Sequence, residues 1–181
     1  MTATTEAIVP GTDLPGLAPE AFKHAFRNHA AGVAVITADA GDGPVGLTAT
    51  SVFSVSADPA LLVFSVSEHS SSSPTLHEAE NVVVHLLGAG QLHIAQLCAT
   101  SGVDRFADET LWDRLPGGEP YFPSAQAWIR GRVVNRMPAG GSTVFAVHAL
   151  EASEPRDELA APLVYHNRRW HSLGDHSTLV D

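Results

Sequence analysis

Cys98 is the only cysteine in 181 residues. A lone thiol excludes an intrachain disulfide and any zinc site built on several thiolates. Basic residues are also scarce: ten Lys and Arg stand against twenty Asp and Glu, a formal charge of −10 at neutral pH. So acidic a surface repels a phosphate backbone, which argues against a nucleic-acid partner, and no polybasic stretch is present to hold anionic lipid. No apolar run approaches the roughly 18–20 residues that span a bilayer. The opening residues, MTATTEAIVPGTDLPG, lack the basic start and long apolar core of a signal peptide. From these absences we expect a cytoplasmic protein that does not engage a membrane.

What is present reads as an ordinary soluble domain, 44% hydrophobic and 17% charged, long enough to bury a core of its own. The Thr, Pro and Gly of residues 1–17 predict a flexible lead-in, residues 18–175 one folded domain, and residues 176–181 a short tail. Pro19 stands where a helix can begin, and Phe22, Ala25, Phe26 and His29 follow on one helical face. GVAVITA (32–38) and NVVVHLL (81–87) read as strands, PTLHEAEN as a short helix, and QLHIAQLCA (91–99) as a helix with Leu92, Ala95, Leu97 and Cys98 inward. A helical turn is expected around Glu109–Arg114. Residues 125–137 and 142–154 predict two long antiparallel strands joined by PAGG, and 162–173 a closing hairpin. Closely spaced strands with turn signals, roughly seven in all, favour an antiparallel sandwich or barrel with a few short helices.

The densest information lies in GLTATSVFSVSADPALLVFSVSEHSSSS, residues 46–73. Leu47, Ala49, Phe53 and Val55 alternate with Thr48, Thr50, Ser54 and Ser56, a strand pattern with an apolar face and a hydroxyl face. Asp58-Pro59 marks a turn, and four serines precede Pro74. Hydroxyls and turn amides hold phosphate without a cluster of lysines.

Other chemistry is thin. Gly88-Ala-Gly90-Gln-Leu-His93 imitates a dinucleotide fingerprint but has His93 where the third glycine belongs. Ten histidines are scattered without a His-Glu-x-x-His, so no metal site is expected. No serine sits in Gly-x-Ser-x-Gly, and Cys98 falls on the inward face of its helix. A phosphate-capable surface without a protein catalyst suits a chain that borrows a cofactor's chemistry.

In this setting the chain resembles the short-chain flavin reductases that supply reduced flavin to two-component monooxygenases. The likeness is carried by AGVAVITA, GLTATSVFSVSADPALLVFSV, HSSSS, VVVHLLGAGQLHIAQLCA, GVDRFAD and PLVYHNRRWHSL, from about Ala21 to Leu173. It implies a mainly β, antiparallel FMN-binding split β-barrel with short flanking helices, commonly a homodimer, that holds FMN or FAD and takes hydride from NADH or NADPH. By position, Thr48, Ala49, Thr50 and Ser51 would line the isoalloxazine. Ser71, Ser72 and Ser73 would hold the phosphate, with Arg105 and Phe106 closing over the flavin. Many members carry Gly-Asp-His after the Pro-Ala turn; here Gly140-Gly141-Ser142 stands there, which puts Ser142 at the nicotinamide side. His148 is six residues further on, about 20 Å of strand, and does not replace that histidine. The departure leaves two alternatives beside the main reading: a flavoenzyme of the same scaffold with another hydride donor or substrate, or a flavin-binding protein without turnover.

Overall fold

Pro19 opens the first helix, α1 (Pro19–Arg27), in a computed structural model that describes residues 16–157 and 160–179. All but the last two residues of the expected lead-in lie outside the described residues. The chain continues through β1 (Ala31–Gly32), β2 (Ala34–Ala38), β3 (Val45–Ala49), β4 (Phe53–Ala57) and β5 (Ala60–Ser67), then α2 (Ser73–Glu78) and β6 (Asn81–Leu86). A 3₁₀ turn at Ala89–Gln91 leads into α3 (Leu92–Ala99). Next come β7 (Asp113–Arg114), β8 (Pro120–Tyr121), the long hairpin of β9 (Ala127–Ala139) and β10 (Ser142–Ala152), and the closing hairpin of β11 (Leu163–His166) and β12 (Arg169–Ser172). Gly88 donates its N–H to Gln91 Oε1 at 2.8 Å, so the glutamine fixes the turn that the fingerprint only imitates. Every pairing of β6 is antiparallel, and no βαβ unit forms there.

Seven strands make one antiparallel sheet in the order β3-β2-β6-β9-β10-β5-β4. Its two edges, β3 and β4, are consecutive in the chain and joined by Thr50, Ser51 and Val52 alone. The step from Ala49 to Phe53 reaches at most about 14 Å, so the sheet must curl until its edges approach. No hydrogen-bonded ladder joins β3 to β4, and the barrel stays open along this seam. The expected antiparallel, mainly β architecture is what the molecule has, with the seam as its split.

Two cores lie on opposite faces of the β2 side. Ala34, Ile36 and Ala38 point into one core, with Leu47, Val82, Val84 and the stacked pair Phe64 and Phe145, whose ring centroids are 5.1 Å apart. Val33 and Val35 point into the other, covered by Ile94, Ala95 and Cys98 of α3 and by Phe106 and Phe122. His85 is fully buried beside Phe122: its Nδ1 lies 2.9 Å from the Val35 carbonyl, and its Nε2 accepts the Phe122 N–H at 3.0 Å. An accepting Nε2 leaves the proton on Nδ1, which donates to Val35. Burial pushes this imidazole down to about 4, so it stays neutral.

Three expectations fail locally. The alternation of residues 47–55 is not one strand: Leu47 and Ala49 are buried, whereas Phe53 and Val55 are 62% and 54% exposed. The chain leaves one sheet edge and re-enters at the other between them, so the apolar face does not continue. Glu109–Arg114 forms turns and β7 instead of a helical turn, because Asp113 and Arg114 pair with Tyr121 and Pro120. On α3 the buried positions are Ile94, Ala95 and Cys98, one step round from the expected face.

Candidate functional site

The barrel seam opens into a cavity of about 570 Å³. One wall is the end of β3 and the link to β4, residues Thr48 to Ser51; the other is Ser65 and Ser67 of β5. The floor reaches Cys98 at the end of α3, and the far end is the His69–Ser71 loop with Arg105. Side-chain bonds hold these walls in place. Thr48 Oγ1 donates to the Ala95 carbonyl at 2.6 Å, pinning β3 to α3. Ser51 Oγ accepts the Ser65 N–H at 3.0 Å and lies 3.2 Å from the Ser65 carbonyl, fastening the link to β5.

The charge in this cavity is one-sided. Among the described residues no Asp or Glu lines it, although the chain carries twenty. Arg105 supplies the cation: Nη1 donates to Ser71 Oγ at 3.3 Å, Nη2 to the Thr100 carbonyl at 3.0 Å, and Nε is buried without a partner. No carboxylate pairs with this guanidinium among the described residues. A buried guanidinium edge without a counter-ion, next to two serines and a loop amide at Ser71, is chemistry suited to a phosphate. Thr, Ala and Ser along the opposite wall leave room for a flat ring and offer hydroxyl and backbone groups to its polar edge. The cavity's own atoms therefore fit a phosphorylated flavin. Cys98 is no nucleophile here, since burial pushes its thiol up to about 12 against the opposing pull of Arg105.

Comparison with known proteins bears on this geometry. The family model described as flavin reductase like domain matches residues 26–174. The chain belongs to the flavin reductase-like family. An NADH:FMN oxidoreductase of Rhodococcus qingshengii is 44% identical over 158 residues, covering 86% of this chain and 82% of the relative. The crystal structure of a flavin reductase domain protein from Arthrobacter sp. FB24 superposes with a TM-score of 0.82 at 31% identity, covering 90% of this chain and 97% of that one. BorF, the flavin reductase component of a bacterial two-component tryptophan halogenase, superposes with a TM-score of 0.78 at 31% identity over 87% of this chain and 99% of its own.

Within this flavin reductase-like chain, Thr48, Ala49, Thr50, Ser51, Ser71 and Arg105 converge on the cavity. Ser72, Ser73 and Phe106 do not line it. Ser72 is fully buried and its hydroxyl donates to the Gly46 carbonyl at 3.0 Å, which ties the serine loop to β3. Ser73 is the buried first residue of α2. Phe106 packs in the core beneath α3, edge-on to Trp112 at 5.1 Å and stacked on Phe122 at 5.8 Å, and with Ser71, Ser72 and Arg105 it lines a separate small hollow of about 110 Å³. Ser142 begins β10 opposite Ser67 and does not line this cavity. Sequence reasoning missed Ser65, Ser67, His69 and Ser70. The first two were readable, because Ser65 and Ser67 alternate with the buried Phe64 and Val66.

Proposed function

We propose that this chain is an NAD(P)H:flavin oxidoreductase that supplies reduced FMN or FAD to a partner monooxygenase and works as a homodimer of the domain at residues 18–175. The observation that carries the reading is Arg105, without a carboxylate partner, beside Ser70 and Ser71 at the end of a cavity with no acidic lining. Thr48 to Ser51 would seat the isoalloxazine, with Ser71 and Arg105 on the phosphate. Hydrogen bonds to that anion are charge-assisted, which strengthens them. A flavin held by these residues would supply the redox chemistry, as an acceptor of hydride from a nicotinamide. The protein's part is to orient the ring, hold its phosphate and keep the walls rigid through the Thr48 and Ser51 bonds.

The homodimer is supported by an open sheet face. Phe53, Val63 and Ala146 form one row across β4, β5 and β10, opposite to the core side. Val55, Val134, Met137 and Leu150 are also exposed. An apolar sheet face of this kind is suited to burial against a second copy. The monooxygenase role is supported by relatives such as BorF, a reductase component of a two-component system.

Stopped-flow mixing of the FMN-loaded protein with NADH and NADPH in parallel tests the reading. Rapid oxidation of either nucleotide, with transfer to excess FMN or FAD, is expected. A yellow protein that oxidises neither would support the second reading, another hydride donor or substrate, which the replacement of the family histidine by Ser142 favours. A colourless protein that fails to quench FMN fluorescence would defeat both.

A further inference from the structure

The loop that carries Ser70 and Ser71 runs over residues 68–72, from the end of β5 to the start of α2. The Ser70 N–H donates to the Ser67 carbonyl at 2.9 Å, the Ser73 N–H to the Ser70 carbonyl at 3.0 Å, and the Ser72 N–H to Ser70 Oγ at 3.3 Å. These bonds shape the loop from within. Ser72 and Arg105 fasten it through the contacts described above, and Glu68 fastens its entry.

Glu68 is held twice by the β9–β10 hairpin. Its N–H donates to the Gly141 carbonyl at 3.0 Å, and Thr143 Oγ1 donates to its Oε1 at 2.6 Å. The same Oε1 stands 3.6 Å from Nε2 of His77, which lies on α2, beyond the loop's exit. One carboxylate thus spans the base of the loop, from the strand beside its entry to the helix after its exit. The Thr143 hydroxyl, and after it His77, hold this carboxyl below its ordinary range against the opposing effect of desolvation, so Glu68 is ionised at neutral pH.

The contact to His77 is incomplete. A separation of 3.6 Å is too long for a hydrogen bond, yet Nε2 is shielded from solvent and has no other partner. A neutral imidazole offers the carboxylate either a repelling lone pair or an N–H too distant to bond. An imidazolium offers a charged donor, and such pairs close to about 2.7–2.9 Å. The other charges around α2 are already engaged or lie on its outer side. Arg136 of β9 donates from Nη2 to the Ala79 carbonyl at 2.6 Å, and its guanidinium is 5.6 Å from the Phe145 ring that His77 meets edge-on at 5.4 Å. Asp42 of the β2–β3 turn accepts from Thr75 at 3.0 Å, and Glu78 is exposed at the end of the helix. His69, the neighbour of Glu68, lines the cavity. Among the described residues Glu68 is the only carboxylate that pairs with His77.

Resting on the flavin reading above, we propose that Glu68 and His77 are positioning residues for the flavin phosphate: protonated His77 draws on Glu68, closes the base of the serine loop and tightens its hold on FMN. Histidine is the side chain whose charge changes near neutral pH, so the grip follows the acidity of the surroundings. Neither residue touches the flavin. The clasp acts on the loop that carries Ser70 and Ser71, and leaves the ring's seat at Thr48 to Ser51 alone.

The test uses the full chain with His69→Asn throughout, which removes the imidazole that lines the cavity itself. FMN and riboflavin, which lacks the phosphate, are titrated by fluorescence at about pH 6 and about pH 8.5, on either side of the usual histidine range. At the lower pH, His77→Leu should weaken FMN by about two- to fivefold, the scale of a partly exposed ion pair, and at the higher pH it should match its parent. His77→Lys, charged at both, should hold FMN at the higher pH as its parent does at the lower. Riboflavin affinity should not respond to either change. Glu68→Gln should repeat the His77→Leu pattern, and it carries the test if that variant does not fold. Equal weakening at both pH values would reduce the pair to a structural contact and overturn the proposal, as would an unchanged FMN affinity or an equal loss of riboflavin. If the parent binds no FMN, the flavin reading fails by itself. The clasp is then decided by the Ser70 and Ser71 amide resonances, which should shift between the two pH values in the parent and stay in place in His77→Leu; amides that do not move in the parent would end it.

Discussion

The two halves of the seven-stranded sheet are built from similar residues and buried very differently. On the β2–β6 side, all five residues of β2 and the stretch Val82–His85 are buried, with a core on each face. On the β5–β10 side, burial alternates residue by residue, and the outer face carries exposed Phe53, Val55 and Met137. What differs is the cover: α3 and the segment around Phe106 and Phe122 lie over the first half, and nothing among the described residues lies over the second. Apolar alternation thus states which side of a strand wants burial, and the rest of the molecule decides whether it gets it. The cavity proposed for the flavin sits where the cover ends.

The comparison can be broken most forcefully at the cover. Ile94→Ala, at a fully buried position of α3, should cost about 2–5 kcal/mol in urea unfolding, as buried aliphatic truncations do. A loss under about 0.5 kcal/mol, the range of surface substitutions, would mean that α3 is not a true lid.

Acid should loosen the same half next. His85 falls from its ordinary 6.5 to about 4 on folding, so the unfolded chain binds a proton that the folded one refuses. Its stabilising contribution is complete above about pH 6.5 and is lost as pH falls toward 4, about 3 kcal/mol in all. Urea midpoints across this range check the sign, and His85→Asn should flatten the dependence.

At the boundary, Arg105→Ala should weaken FMN binding by about 1.5–3 kcal/mol, the scale of a hydrogen bond to a charged group. Ser72→Ala should leave FMN affinity in place and cost only folding stability, about 1 kcal/mol for the bond to Gly46. Fluorescence titration and urea unfolding of both variants separate the two serine-loop roles.

The smallest effect on folding is expected on the open half. Phe53→Asp should change unfolding free energy little, by about 0.5 kcal/mol or less, yet convert a dimer to a monomer in sedimentation. A parent that sediments as a monomer would leave the open face without its proposed occupant.

Much of this was legible beforehand for physical reasons. Strands β2, β6, β9 and β10 announced themselves through β-branched runs and glycine turns, and Pro19 does begin α1. Thr48 through Ser51 reach the cavity together because it opens where β3 ends and the link to β4 begins. The serines were harder. Which of Ser70, Ser71, Ser72 and Ser73 faces a cavity depends on how the loop winds into α2, and four identical side chains carry no signal for that. Phe106 next to Arg105 looked like a partner in one task, yet in this turn the arginine reaches the cavity while the phenyl ring packs in the core.

The three-residue strap from Thr50 to Val52 ties the two margins of the curled sheet, and its Thr50 and Ser51 form part of the cavity wall. In the proposed dimer, a neighbouring subunit settling onto the β4 margin would pull on the seat proposed for the pigment. Assembly and cofactor retention would then share one mechanical link, and a subunit left alone should be the poorer holder.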